Sequence, residues 1–109
     1  MTPALPRTAQ ERRSAPLRGS SSRRPPHPGQ FLESRYLEPL GISQTHLAEA
    51  IGVSRRRVNE LINGRRSITP DTAVRLAHFF GNDAEFWMHL QVAWDMHAAV
   101  RRWRATARS

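Results

Sequence analysis

Between residues 29 and 104 the apolar residues recur three and four positions apart, and no stretch sustains the strict alternation of a half-buried strand. That spacing predicts five helices. The first runs from about Gln30 to Glu38 on Phe31, Leu32, Tyr36 and Leu37, and Pro39 and Gly41 stop it. Ser43 caps the second, Gln44 to about Ile51, whose inward positions are Leu47, Ala48 and Ile51; Gly52 ends it. Ser54 caps the third, Arg55 to about Ile62, with Val58, Leu61 and Ile62 turned inward and Asn63-Gly64 closing it. Thr69-Pro70-Asp71 is a strong start signal for the fourth, which continues through Ala73, Val74, Leu76, Ala77 and Phe80 to Gly81. Asn82 or Asp83 caps the last, about Ala84 to Arg104, placing Phe86, Trp87, Leu90, Ala93, Trp94, His97 and Val100 at helical spacing. The fold class is all-α.

Ahead of this periodic region the pattern disappears. Residues 1–26 are rich in Pro, Ser, Gly and Arg, with Leu5 and Leu17 the only large apolar side chains after Met1. Such a segment buries too little surface to offset its ordering entropy and is expected to be disordered. It lacks the roughly 7–15-residue apolar core of a secretory signal. A solvated tail and an accessory phosphate-binding arm are both compatible with it; its Arg/Ser richness loosely resembles a transit peptide, without the amphipathic pattern. The expected organisation is a disordered tail at 1–26, a helix-turn-helix domain at 27–104 and a short basic tail at 105–109.

Composition narrows the function classes. A chain of 109 residues is one small domain with tails. No cysteine is present, which excludes a disulfide scaffold and a thiolate site. No apolar run approaches the roughly 18 residues of a membrane span, so a soluble, cytoplasmic protein is expected. The formal charge is +8, carried by 17 Arg and no Lys, which suggests an anionic partner. Its placement matters more than its total. The ends at 1–26 and 101–109 hold +5 and +4, while the middle, 27–100, nets −1. Within that neutral middle, Arg55, Arg56, Arg57, Arg65 and Arg66 fall inside twelve residues, opposed only by Glu60.

This cluster coincides with a recognisable spacing. Two helices of about eight residues joined by the turn Gly52-Val53-Ser54 make a helix-turn-helix over 43–63. Ala48 is small enough for the helices to cross closely, Gly52 can take a positive φ, and Val53, Val58 and Leu61 form an apolar wedge. The third helix then presents Arg55, Arg56 and Asn59 outward, with Arg57 toward one flank. Such a helix can lie in the major groove, where an Arg donates a bidentate pair to guanine. Asn59 has the amide geometry to read adenine or bridge to a phosphate. Ser43 and Gln44 start a helix where it meets the DNA backbone, and Arg65 and Arg66 are placed to clamp phosphates. The expected DNA-binding set is therefore Ser43, Gln44, Ser54, Arg55, Arg56, Arg57, Asn59, Asn63, Arg65 and Arg66.

The segment Ser43 to Asn63 resembles the helix-turn-helix of the lambda-repressor-like (XRE) superfamily, a five-helix fold. More narrowly, 27–97 is similar to the HigA/VapI-type antitoxins of bacterial toxin–antitoxin systems. The similarity lies in His27-Pro28-Gly29, Leu37-Glu38-Pro39-Leu40-Gly41, Arg56-Arg57-Val58-Asn59-Glu60-Leu61, Asn63-Gly64-Arg65-Arg66, Ile68-Thr69-Pro70-Asp71-Thr72-Ala73 and Phe86-Trp87-Met88-His89-Leu90-Gln91. Gln30, where the family more often has an acid, and the long basic tail depart from it. The resemblance implies a dimeric repressor that binds double-stranded DNA at a palindromic operator in its own promoter. It further implies neutralisation of a RelE/HigB-like toxin, an mRNA-cleaving ribonuclease. A stand-alone transcription regulator of the same fold, and a protein-interaction module, are the alternatives.

In the last helix Trp87, Leu90, Trp94 and His97 recur at heptad-like spacing. They can seal the core, form a homodimer seam or receive the toxin. The five His show no metal-ligand spacing, so neither metal nor cofactor is expected. Ser, Thr and the acids fall at caps, turns and exposed positions, which argues against an enzyme.

Overall fold

A computed structural model describes residues 24–108; of the expected N-terminal tail, all but the last three positions lie outside the described residues. Five helices and no strand occur among them. The first, α1, spans 28–40 in three continuous pieces: Pro28–Leu32, a π-helical turn Glu33–Leu37, and Glu38–Leu40. It is followed by α2 (Gln44–Ile51), α3 (Arg55–Ile62), α4 (Pro70–Phe80) and α5 (Ala84–Arg108). None of the helices is long and apolar enough to cross a membrane.

The caps read from the sequence at Ser43, Ser54 and Thr69 hold. Ser43 Oγ accepts from the His46 N–H at 3.0 Å, Ser54 Oγ from Arg57 at 3.0 Å, and Thr69 Oγ1 from Thr72 at 3.3 Å. Three expectations about the helices are corrected. Pro39 does not stop α1, which runs on to Leu40. The Glu38 N–H donates to the Glu33 carbonyl, five residues back, and this widened turn gives the proline ring room just where it has no N–H to offer. At the other end α5 continues to Arg108, past the expected stop at Arg104 and through what was expected to be a tail. The sequence there, Ala-Thr-Ala-Arg, contains strong helix formers and no breaker, and Thr106 Oγ1 donates back to the Arg102 carbonyl at 3.0 Å. Third, not every apolar residue at the helical spacing turns inward: Val74, Ala93 and Val100 are exposed, Val74 by 58%. On α4 the buried stripe is Thr72, Ala73, Leu76 and Ala77, which leaves Val74 on the far side.

The core draws on every helix: Leu32 and Leu37 from α1, Leu47 and Ile51 from α2, Val58 and Leu61 from α3, Leu76 from α4, and Trp87 from α5. Trp87 is fully buried. Its ring centroid lies 5.1 Å from Tyr36, 5.2 Å from Phe86 and 5.9 Å from Phe80. Its indole N–H donates to Asn82 Oδ1 at 2.9 Å, so the burial leaves no unpaired polar atom. Burying such a side chain contributes about 1.5–3 kcal/mol, a large share of a small domain's margin.

Two contacts at the start of α1 set its position. His27 is buried and acts as the N-cap, its Nδ1 accepting from the Gly29 N–H at 2.9 Å, while its ring meets Trp94 edge-on at 5.1 Å. Gly29 lies so close to α3 that a Cβ there would overlap the Leu61 carbonyl. Gly29→Ala is therefore expected to destabilise by about 1–3 kcal/mol, read as a lowered urea midpoint. Helix propensity alone favours alanine by up to about 1 kcal/mol, so the sign of the change decides between the two effects.

His27 gives a pH dependence. Burial holds its pKa below 6.5, against an opposing pull from the Asp95 carboxylate. The folded chain therefore resists a proton that the unfolded chain accepts, so this stabilisation is complete above about pH 6.5 and declines as pH falls toward the folded value. His27→Asn keeps a capping side chain that does not titrate. Its urea midpoint should fall less than that of the wild type between about pH 7 and pH 5; equal losses in the two proteins would remove His27 as a cause.

Candidate nucleic-acid interface

The turn between α2 and α3 is built as its residues require. Gly52 takes φ 76°, and the N–H groups of Gly52 and Val53 both donate to the Ala48 carbonyl, at 2.9 and 3.0 Å. Ala48 is buried at the crossing, and Val58 and Leu61 bury the inner face of α3. Arg75 of α4 closes the end of α2, donating from Nη1 to the Ile51 carbonyl at 2.7 Å and from Nε to Asp71 at 2.9 Å. The third helix is thereby fixed with its polar side outward.

On that side the structure links residues from both helices. Asn59 Nδ2 donates to Gln44 Oε1 at 3.1 Å, and Asn63 Nδ2 donates to Asn59 Oδ1 at 3.2 Å and to its carbonyl at 2.9 Å. This amide ladder ties the first residue of α2 to the outer face of α3. Ser43 and Ser54 stand exposed at the two helix starts, engaged as caps.

The five arginines separate into three groups. Arg55 and Arg65 are exposed and in no ion pair or side-chain hydrogen bond. Arg56 is 87% exposed yet donates from Nε to Glu60 Oε2 at 3.0 Å. Arg66 donates to Glu60 Oε1 from Nε at 3.0 Å and Nη2 at 2.7 Å. The hydrogen bonds from Arg66, then the one from Arg56, hold the Glu60 carboxyl below its ordinary pKa. Arg57 is set apart from the others. Its Nη2 donates to Thr72 Oγ1 at 2.9 Å and lies 3.6 Å from Asp71, so its guanidinium ties α3 to the start of α4.

On α5 the four residues singled out by spacing face the body of the domain. Trp87 is in the core, Leu90 packs against it, Trp94 lies on His27, and His97 is half-buried. The large exposed apolar residues of this helix are Val92, Met96, Val100 and Trp103, the last 69% exposed, a stripe on the opposite side. Sequence reasoning missed Gln91, which is buried with Oε1 accepting from the Ile68 N–H at 2.7 Å and Nε2 donating to Asp95 at 3.0 Å. Its signal was a polar residue four positions after Trp87 on the inward stripe. The pairings of Arg56 with Glu60 and of Asp71 with Arg75 were visible as four-residue spacings.

The family model described as Helix-turn-helix matches residues 34–87, which contains the α2–α3 unit. Virulence-associated protein I of Dichelobacter nodosus is 47% identical over 73 residues, 67% of this chain and 68% of that protein. Antitoxin HigA-1 of Vibrio cholerae is 41% identical over 88 residues, 81% of this chain and 83% of its own. The chain belongs to the HigA/VapI family of XRE-type helix-turn-helix proteins. Among solved structures, a Pseudomonas aeruginosa antitoxin HigA with the higBA promoter superposes with a TM-score of 0.70 at 38% identity, covering 72% of this chain and 86% of that one.

The placement of the arginines in this HigA/VapI-family chain gives a separable outcome. Arg57→Ala should cost about 1–2 kcal/mol of stability, because a charge-assisted hydrogen bond between α3 and α4 is lost. Arg55→Ala should stay within about 0.5 kcal/mol of wild type. Chemical denaturation of the two variants compares them directly.

Proposed function

We propose that this chain is a sequence-specific DNA-binding antitoxin. It acts as a homodimer on a palindromic operator, represses its own toxin–antitoxin operon in the cytoplasm, and neutralises a RelE/HigB-like mRNA-cleaving toxin. It works by binding, without catalysis. The observation that carries this reading is the outer face of α3, where the unpaired Arg55 follows the Ser54 cap and the Asn59–Gln44 bond joins the two helices. The likeness to an antitoxin solved with promoter DNA supports it.

The chemistry follows from those side chains. With α3 in the major groove, Arg55 donates two parallel N–H bonds to guanine O6 and N7, and Arg56 lies one position further on the same exposed helix. Asn59, aligned by Gln44, presents its amide to adenine or to a phosphate. The start of α2, at Ser43, faces the backbone with its helix dipole, and Arg65 reaches a phosphate from the turn after α3. Two copies serve half-sites about 34 Å apart. The exposed stripe Val92, Met96, Val100 and Trp103 supports their pairing along α5. An antiparallel arrangement brings the basic end, Arg101, Arg102 and Arg104, toward the partner's acidic start.

A gel-shift titration of the DNA upstream of the gene, with wild type and the double variant Arg55→Ala/Arg56→Ala, tests the reader. Losing the Arg55 base contact should cost about 1–3 kcal/mol and losing the Arg56 charge adds to it, so affinity should fall at least about tenfold. Unchanged affinity removes α3 from the reading. Co-purification with the product of the neighbouring reading frame tests the toxin; no retained product leaves a stand-alone regulator.

A further inference from the structure

The ion pairs around Glu60 need an explanation that local stability does not supply. Glu60 lies in the last turn of α3, where a negative charge opposes the helix dipole. Arg56 precedes it by four residues, the weaker of the two orders for such a pair. Exposed pairs of this kind contribute little to folding. Yet both carboxylate oxygens are engaged, by three N–H groups from two arginines on different segments. Guanidinium groups hold phosphate oxygens in the same way.

We infer that Glu60 is an intramolecular counter-anion that occupies, in the free protein, the place between Arg56 and Arg66 that a DNA backbone phosphate would take. The inference rests on the DNA-binding reading above. To reach a phosphate, Arg66 must first leave Glu60, and that cost is the same for every DNA sequence. Arg55, which is unpaired, bears no such cost. Glu60 therefore lowers the sequence-independent part of binding, at operator and random DNA alike, while leaving the base contact of Arg55 at full strength.

Glu60→Gln tests this, because it keeps the side chain's shape and removes the charge. Glu49→Gln is the control: Glu49 is an exposed acid on α2 in no ion pair, so the same change in net charge occurs away from the arginines. Binding to a short random-sequence duplex is followed between about 50 and 300 mM salt, together with the salt needed to elute each protein from heparin. Freeing two guanidinium groups should steepen the log–log salt slope by about 1–2. Glu60→Gln should also elute from heparin later than Glu49→Gln. Equal slopes and equal elution for the two variants would overturn the inference. Glu60→Asp, which retains the charge, should stay near wild type, and a shift as large as that of Glu60→Gln would count against it. Heparin and random DNA score the counter-anion whether or not a sequence is read. A wild type that fails to distinguish its upstream DNA therefore strikes the proposed function separately.

Discussion

The backbone of Gly29 rests against the Leu61 carbonyl with no room for a side chain between them. Much of the molecule's functional geometry depends on that approach. Its third helix has only eight residues, three of them consecutive arginines, and helices shorter than about 12–15 residues are marginal on their own. Its direction is therefore imposed by its neighbours. Gly29 sets how near α1 comes, Val58 and Leu61 anchor the inner face, and Arg57 fastens the other flank to α4. The Ala48 crossing fixes α2 against it. An element too weak to stand alone is aimed by contacts from three others.

The same economy governs charge. Five arginines close together repel one another, and the fold separates their tasks through the acids it places beside them. Asp71 and Thr72 take Arg57 out of the solvent-facing set, and Glu60 takes Arg56 and Arg66 into an exposed pair. What remains fully unpaired is Arg55 at the start of the helix and Arg65 just after it. Formal charge counts all five alike; hydrogen bonding does not.

Much of this was legible in the sequence. Caps and punctuation located α2, α3 and α4 to the residue, because Ser, Thr, Pro and Gly act locally at helix ends. The resemblance to HigA/VapI antitoxins was carried by motifs whose order and spacing could be read directly. What escaped depends on partners distant in the chain. Arg57 reads as a flanking member of the basic cluster until α4 supplies Thr72, fifteen residues on. Gln91 reads as an ordinary polar position until the Ile68 N–H comes to meet it, across twenty-three residues. Pro39 reads as a stop until a five-residue backbone bond makes room for it. The stripe expected to serve the core or a partner, at Trp87, Leu90, Trp94 and His97, lies on the inward side, and the period alone did not say which side an exposed stripe would take.

From Val100 to Ala107 every residue of α5 is exposed, while Trp87 and Gln91 in its first half are clamped in the body. Mechanically this is a lever with a short, rigid fulcrum and an exposed arm of about 12 Å at 1.5 Å per residue. A tilt of about 10° at its root carries the tip through about 2 Å, while the side chains at the fulcrum hardly move. Small adjustments around one buried indole and one buried amide are thus magnified where Trp103 and Arg104 stand.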